Sequence, residues 1–247
     1  MRHGYDCSCH TFIAQYLKHR MKKLLCLVAA LAGFYALCPA EAIAQEASAD
    51  FYVAPFYNSK GPSVKIGKFS KELASADKHS IKATVATMKQ EMAALPAISM
   101  FVAAARLYDL GYRDESVYWF YAAQYRARLF QALVEPSKVG GMGSTAFELK
   151  SAHSAFRQTL GEYVNGYAGC DQAKWIAVLS QIQAENATAP EFTKIYPAVT
   201  FISSEEWGSK NAEINSGLTE LSGYLKTHWA ELQATRKENA QDKKFCN

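Results

Sequence analysis

The sequence predicts an all-α protein, a helical bundle or irregular helical array of about six helices that carries a short extended N-terminal arm. Three observations carry that prediction. From Ser80 onward the apolar residues recur at steps of three and four, the period of a helix with one buried face. Asp, Ser and Thr stand where those runs begin, and Pro or Gly stands where they end. The pieces that favour strands are short and interrupted by proline, too little to support a sheet.

The first element is Met21 to Ala44, which reads as a signal peptide. Lys22 and Lys23 supply a positive start, Leu24 to Leu37 is an apolar run, and Ala42-Ile43-Ala44 offers the small residues that signal peptidase accepts. A run of about 14 residues falls short of the roughly 20 that a membrane-crossing helix needs. Residues 1–20 read as an upstream extension or a long n-region, with translation from Met21 the simplest account. Leu25 and Leu37 stand before Cys26 and Cys38 where a lipoprotein would carry a small residue, which argues against lipidation. Residues 45–78 form the expected arm: Phe51-Tyr52-Val53 and Val64-x-Ile66 are separated by Pro55, Gly61 and Pro62. Residues 79–247 form a single helical domain.

Within that domain Ile81, Val85, Met88, Met92 and Leu95 make one amphipathic helix that Pro96 ends. Pro96 then serves in the first turn of a helix through Met100, Ala103, Ala104, Leu107 and Leu110, with Gly111 as its left-handed cap. Asp114 caps a third helix reaching Val134, and Pro136 with Gly140-Gly141-Met142-Gly143 marks a break. Thr145-x-x-Glu148 has the form of a capping box before a helix to about Asn165. Asp171 caps the next, whose Trp175, Val178, Leu179 and Ile182 share a face. Asn186 to Ser203, holding Pro190 and Pro197, reads as loop with an ordered piece near Val199 to Ile202. Ser203-x-x-Glu206 opens a last helical region, weakened by Gly217 and Gly223 at about 1 kcal/mol each. From Arg236 on, the charged tail is expected to fray unless Cys246 tethers it.

Residues Met100 to Ala123 carry small Ala104, Leu107, Leu110-Gly111 at a turn, then Ser116, Phe120 and Ala123 at small-aromatic-small positions. This segment resembles a single tetratricopeptide-repeat helix pair. The resemblance implies a helix-turn-helix that packs on neighbours and offers a groove for peptides or partner proteins. Arg128 stands where the pattern has proline, and the aromatic after the turn glycine is displaced to Tyr112. Asn165-Gly166-Tyr167 with Asp171 and Trp175 echoes the unit faintly, and an ordinary hairpin in a non-repetitive bundle is the alternative.

Charge bounds the function. Five of the 27 Lys+Arg and two of the 23 Asp+Glu precede residue 45, so the remainder holds 22 and 21, a net charge near +1 rather than +4. Such a balance gives no long-range attraction to nucleic acid, so no nucleic-acid partner is expected. No stable membrane insertion is expected after signal cleavage. Cys7, Cys9, Cys26 and Cys38 leave with the leader, and Cys170 and Cys246 remain. In an oxidising compartment two cysteines most simply pair, which is worth roughly 4.5 kcal/mol on the chain-entropy model. Two free thiols are the alternative.

The third helix holds the candidate binding residues. Ser116, Phe120, Ala123, Ala127 and Phe130 form one stripe, while Tyr118, Tyr121 and Tyr125 fall roughly opposite with Arg128 near them. Tyrosine and arginine are frequent anchors of interfaces. A central helix whose tyrosine hydroxyls find internal partners is the other reading. No zinc-protease His-Glu-x-x-His, serine-hydrolase Gly-x-Ser-x-Gly, phosphate loop or dinucleotide fingerprint is present, and no catalytic residue, cofactor or metal site is assigned. His153, Glu162 and His228 are the groups whose convergence in one polar cleft would favour an enzyme. Asn186-Ala187-Thr188 has the form of a glycan acceptor, read as incidental. The resulting expectation is an exported protein of the periplasm or exterior that binds a protein or peptide partner in the cell envelope, with an immunity-like or inhibitor role as one version. A hydrolase of cell-wall or extracellular polymers is the alternative.

Overall fold

The computed structural model describes residues 67–75 and 77–246. The leader, the upstream extension, the first four cysteines and the arm up to residue 66 lie outside the described residues. Among the described residues there are nine α-helices and no strand. They are α1 (Ser70–Leu73), α2 (Lys78–Gln90), α3 (Ala97–Asp109), α4 (Arg113–Leu133), α5 (Thr145–Ala168), α6 (Gln172–Glu185), α7 (Phe192–Ile195), α8 (Ser204–Glu238) and α9 (Gln241–Phe245). The fold is all-α. No helix among the described residues is long and apolar enough to cross a membrane.

Asp77 caps α2, its carboxylate accepting from the Ser80 amide at 2.8 Å. The apolar period continues to Leu95, yet the α-helix stops at Gln90 and a 3-10 turn, Met92–Ala94, follows. The physical reason lies in α4. The Arg126 guanidinium donates to the carbonyls of Leu95 at 2.9 Å, Met92 at 3.2 Å and Ala93 at 3.4 Å. The Met92 carbonyl also accepts from the Leu95 amide at 3.2 Å, which closes the 3-10 turn. Pro96 sits just before α3 rather than within it, in an extended conformation. The first α3 amide, that of Ala97, donates to the Tyr196 hydroxyl at 2.9 Å, so a residue 99 positions away does the capping.

Helices α3 and α4 form a hairpin. Gly111 adopts φ +86, the left-handed region that a side chain disfavours. The Gly111 amide donates to the Tyr108 carbonyl at 3.0 Å and the Tyr112 amide to the Leu107 carbonyl at 2.8 Å, the Schellman pattern of helix ends. The chain therefore enters α4 one residue after the turn, with Tyr112 at the cap position, not Asp114. Asp114 instead holds Lys174 at 2.9 Å and the Tyr167 hydroxyl at 2.9 Å. Ala103, Ala104 and Ser116 are wholly buried, and the Ser116 hydroxyl donates to the Ala104 carbonyl at 2.7 Å. Small side chains let the two helices approach closely.

The expected capping box does not form: Ser144 is the N-cap residue of α5, its hydroxyl donates back to the Val139 and Gly141 carbonyls instead, and Glu148 accepts from the Gly143 amide at 2.8 Å. The helix runs through Gly166, where a Cβ would strike the Phe245 ring, so the missing side chain is what admits α9. Asp171 caps α6, accepting from the Lys174 amide at 3.0 Å. The 186–203 loop is fastened to the end of α4, with the Glu135 amide donating to the Thr200 carbonyl at 3.0 Å and the Ile202 amide to the Leu133 carbonyl at 2.9 Å. Gly217 and Gly223 lie within one helix, α8, whose dihedrals leave the helical range at His228. The tail is ordered: Arg236 is buried, it pairs with Asp242 at 2.9 Å, and Cys170 and Cys246 stand at disulfide distance with Cα atoms 5.7 Å apart.

Helix α4 is the axis, packed by α3, α5, α6 and α8. Its Phe130 meets His153, Phe192, Tyr196 and Phe201 with ring centroids 4.8 to 6.3 Å apart. Such edge-to-face contacts add about 0.5–1.5 kcal/mol per pair beyond burial.

Candidate functional site

Burial decides first what the candidate tyrosines do. Tyr118, Tyr121 and Tyr125 are 9%, 7% and 2% exposed, and each hydroxyl is spent inside the fold. Tyr118 donates to Glu185 at 2.5 Å and accepts from Lys89, while Tyr121 donates to the Asn165 side-chain oxygen at 2.8 Å. Tyr125 donates to Asn211, whose amide in turn reaches the Asn186 carbonyl at 2.9 Å, where Asn215 also donates at 3.0 Å. Burial raises the Tyr118 hydroxyl pKa, as does the Glu185 carboxylate beside it, and burial pushes Tyr125 up to about 12. Burial also raises Glu185, but hydrogen bonds from Lys89, Tyr118 and Gln181 outweigh it and hold the carboxylate below its ordinary range. The expectation of a tyrosine face presented to a partner is thus corrected: the three hydroxyls meet Glu185 of α6, Asn165 of α5 and Asn211 of α8. The Asn186 side-chain amide donates to the Ile182 carbonyl at 2.8 Å, so it is committed within the fold.

Arg128 has a different environment. It is half-buried, and with Gln124, Ala127 and Gln131 it forms one wall of a recess. The opposite wall is Lys150, His153, Ser154 and Arg157 of α5, and Phe101 of α3 closes the floor. Both walls follow the spacing i, i+3, i+4, i+7, which sets four side chains along one helix face. The recess encloses about 110 Å³. Phe101, Ala127 and His153 are buried, Gln124, Arg128, Ser154 and Arg157 are half-buried, and Gln131 and Lys150 are exposed. The floor is apolar and the rim cationic.

No carboxylate among the described residues lines this recess, and neither Arg128 nor Lys150 forms an ion pair with a described residue. Arg157 has its pKa lowered by burial and by the nearby Arg128. His153 has its pKa pushed down to about 3, by burial first and by Arg157 second. It is neutral at pH 7. Its Nε2 is buried without a hydrogen-bond partner among the described residues, and its ring lies between Phe101 and Phe130 at 6.4 and 5.3 Å. The arrangement can hold an anionic group, with guanidinium forks for its oxygens and an apolar floor for carbon.

The possible acid-base groups do not converge. Glu162 pairs with Lys244 at 2.9 Å, His228 stacks on Tyr224 at 4.3 Å in α8, and His153 lies at the recess floor. No three His, Cys, Asp or Glu side chains among the described residues come within reach of one metal ion. The recess escaped sequence reading because Lys150, His153 and Arg157 are seven residues apart at most but their counterpart wall is a separate helix. The signal that was present is the matching spacing of Arg128 on α4 and the two cations on α5.

Comparison with known proteins gives one relative. An uncharacterised protein of Haemophilus influenzae is 29% identical over 169 residues, which cover 67% of this chain and 60% of that protein. The matched region thus spans less than two thirds of the relative's length. No family model matches, and no solved structure matches.

Proposed function

We propose that this protein works by binding, and that it engages a protein or peptide of the cell envelope through the face of α4 and α5 around Arg128. The observation that carries the reading is the size and sign of the recess. At about 110 Å³ it is smaller than the roughly 150 Å³ that holds a benzene and far below the roughly 300–1,000 Å³ of small-molecule pockets. A site of that size takes one group of a larger body, and its cations select an acidic one. Export is supported by the leader pattern at 21–44 and by the Cys170–Cys246 pair, which favours an oxidising compartment. Against the hydrolase reading stands the separation of His153, Glu162 and His228 into three environments.

An immunity-like or inhibitor role is the concrete form of the proposal: the protein covers a partner and changes nothing covalently. The test is a photo-crosslinking residue at Gln131, on the exposed rim, with the same group at Glu220 on α8 as control. In intact cells the rim position should trap a discrete adduct from the envelope fraction, and the Arg128→Glu variant should lose it. Adducts of equal pattern from both positions, or none from the rim, would overturn the reading.

A further inference from the structure

We propose that the Cys170–Cys246 bond is an exchangeable latch, which a dithiol from outside the molecule opens to release α9 from the body of the fold. The proposal is separate from the face around Arg128. Cys246 is exposed, so an incoming thiolate can reach its sulfur, and Cys170 is half-buried. The buried Arg236 guanidinium stands 3.5 Å from the Cys170 sulfur and 3.3 Å from that of Cys246. Gly169 makes room for it, since a Cβ there would fall 2.4 Å from Nη1. Arg236 also donates to Asp242, from Nε at 3.0 Å and Nη2 at 2.9 Å. A bond that only ties down a chain end gains nothing from a cation beside its sulfurs. A bond that breaks does, because the departing sulfur carries negative charge that a guanidinium stabilises. The Asp242 carboxylate stands 3.6 Å from the Cys246 sulfur and disfavours charge there, which leaves Cys170 as the sulfur that departs.

In the exchange a thiolate of the external dithiol attacks the Cys246 sulfur, the Cys170–Cys246 bond breaks, and Cys170 leaves as a thiolate beside Arg236. The second external thiol, deprotonated, attacks its own partner sulfur in the mixed disulfide, and Cys246 leaves. Two electrons and two protons pass to the protein cysteines, and the external dithiol ends as a disulfide. What the bond restrains is lightly held. Helix α9 is too short to persist by itself, and Phe245 is its one buried residue. That ring sits over Gly166 with Tyr163 edge-on at 6.4 Å, apart from the main hydrophobic core. Arg113 donates to the Phe245 carbonyl at 3.4 Å, and the Lys244–Glu162 pair is half-exposed, where an ion pair adds little. The turn into α9 passes through exposed Ala240 at φ +52, the left-handed region that alanine disfavours. The closed tail therefore carries a backbone cost that opening relieves, and opening leaves the main core in place.

The test is reduction of the purified protein by dithiothreitol without denaturant, followed by alkylation of the released thiols and by amide hydrogen exchange. Both thiols should become alkylated, exchange over 241–246 should rise about tenfold or more, and exchange over α3 and α4 should stay within about twofold. Oxidised dithiothreitol should restore the protection. Arg236→Gln should slow reduction about tenfold, since the departing thiolate loses its cation. Ala240→Gly, an exposed change that suits the same backbone angle, should slow exchange over 241–246 in the reduced protein about threefold, and it decides the matter if Arg236→Gln does not fold. A bond that yields only in denaturant, an α9 still protected after reduction, or protection lost over α3 and α4 as well would each overturn the proposal, the last by making the bond a staple of the whole fold. Unchanged reduction in folded Arg236→Gln, or unchanged exchange in Ala240→Gly, would do the same.

Discussion

Arg126 and Arg128 stand two residues apart on α4 and occupy opposite environments. Arg126 is 2% exposed, and its Nη1 and Nη2 donate to the carbonyls of the turn before α3, while its Nε is buried without a hydrogen-bond partner among the described residues. Arg128 is half-buried on the other side, beside Arg157 and away from any carboxylate among the described residues. The same contrast separates the tyrosines from the recess: one side of α4 spends its polar groups inside, the other keeps charge available. A polar group with all its partners in the fold reports on stability, and a charge left over reports on something outside it.

The comparison can be broken first at Arg126. Arg126→Ala removes a donor from the buried Leu95 carbonyl and from the more exposed Met92 and Ala93 carbonyls and leaves a void, and the expected loss is about 3 kcal/mol, read from urea unfolding. A loss below about 1 kcal/mol would mean that the carbonyls find other partners. The recess side has its own stability signature in acid. His153 has a folded pKa of about 3, below its ordinary 6.5, so in acid the unfolded chain takes up a proton that the folded one refuses. Its contribution is intact above pH 6.5 and is lost as pH falls toward 3, which is about 2 kcal/mol between pH 7 and pH 5. Urea titrations at both values check this, and in His153→Leu that part of the acid loss should vanish.

On the tyrosine side, Tyr125→Phe removes one hydroxyl and leaves Asn211 without its donor, at an expected loss of about 1 to 2 kcal/mol in the same assay. An unchanged midpoint would show the hydroxyl to be idle and weaken the division between the two faces. The outer surface of α8 provides a calibration. A Cβ at Gly217 or Gly223 meets nothing within 4 Å, so each change to Ala should stabilise by about 0.5 to 1 kcal/mol through helix propensity. The smallest expected effect is the sharpest. Arg128→Gln should move thermal stability by less than about 0.5 kcal/mol, because Arg128 forms no ion pair with a described residue and glutamine keeps much of its stem. A large drop would make Arg128 another Arg126.

Much of the helix pattern was legible because caps and periods are local. Gly111 turns the hairpin and Asp171 starts α6, each through bonds within a few residues. Several boundaries that differ from the sequence reading are set from a distance. Arg126 cuts α2 short, Tyr196 caps α3, and Phe245 fills the space over Gly166. The tyrosines shared a helical face on the sequence alone, but whether that face met solvent or α6 and α8 was beyond its period.

What the sequence by itself determined is the all-α class, the hairpin turn at Gly111 and the near balance of charge over residues 45–247, since propensity, capping and composition need no knowledge of neighbours. Tertiary structure alone decided which cations keep partners. That outcome depends on how α4 is rotated between α5 and α6, a matter of packing that turns Arg126 and Tyr125 inward and leaves Arg128 facing Lys150 and Arg157 across an open space.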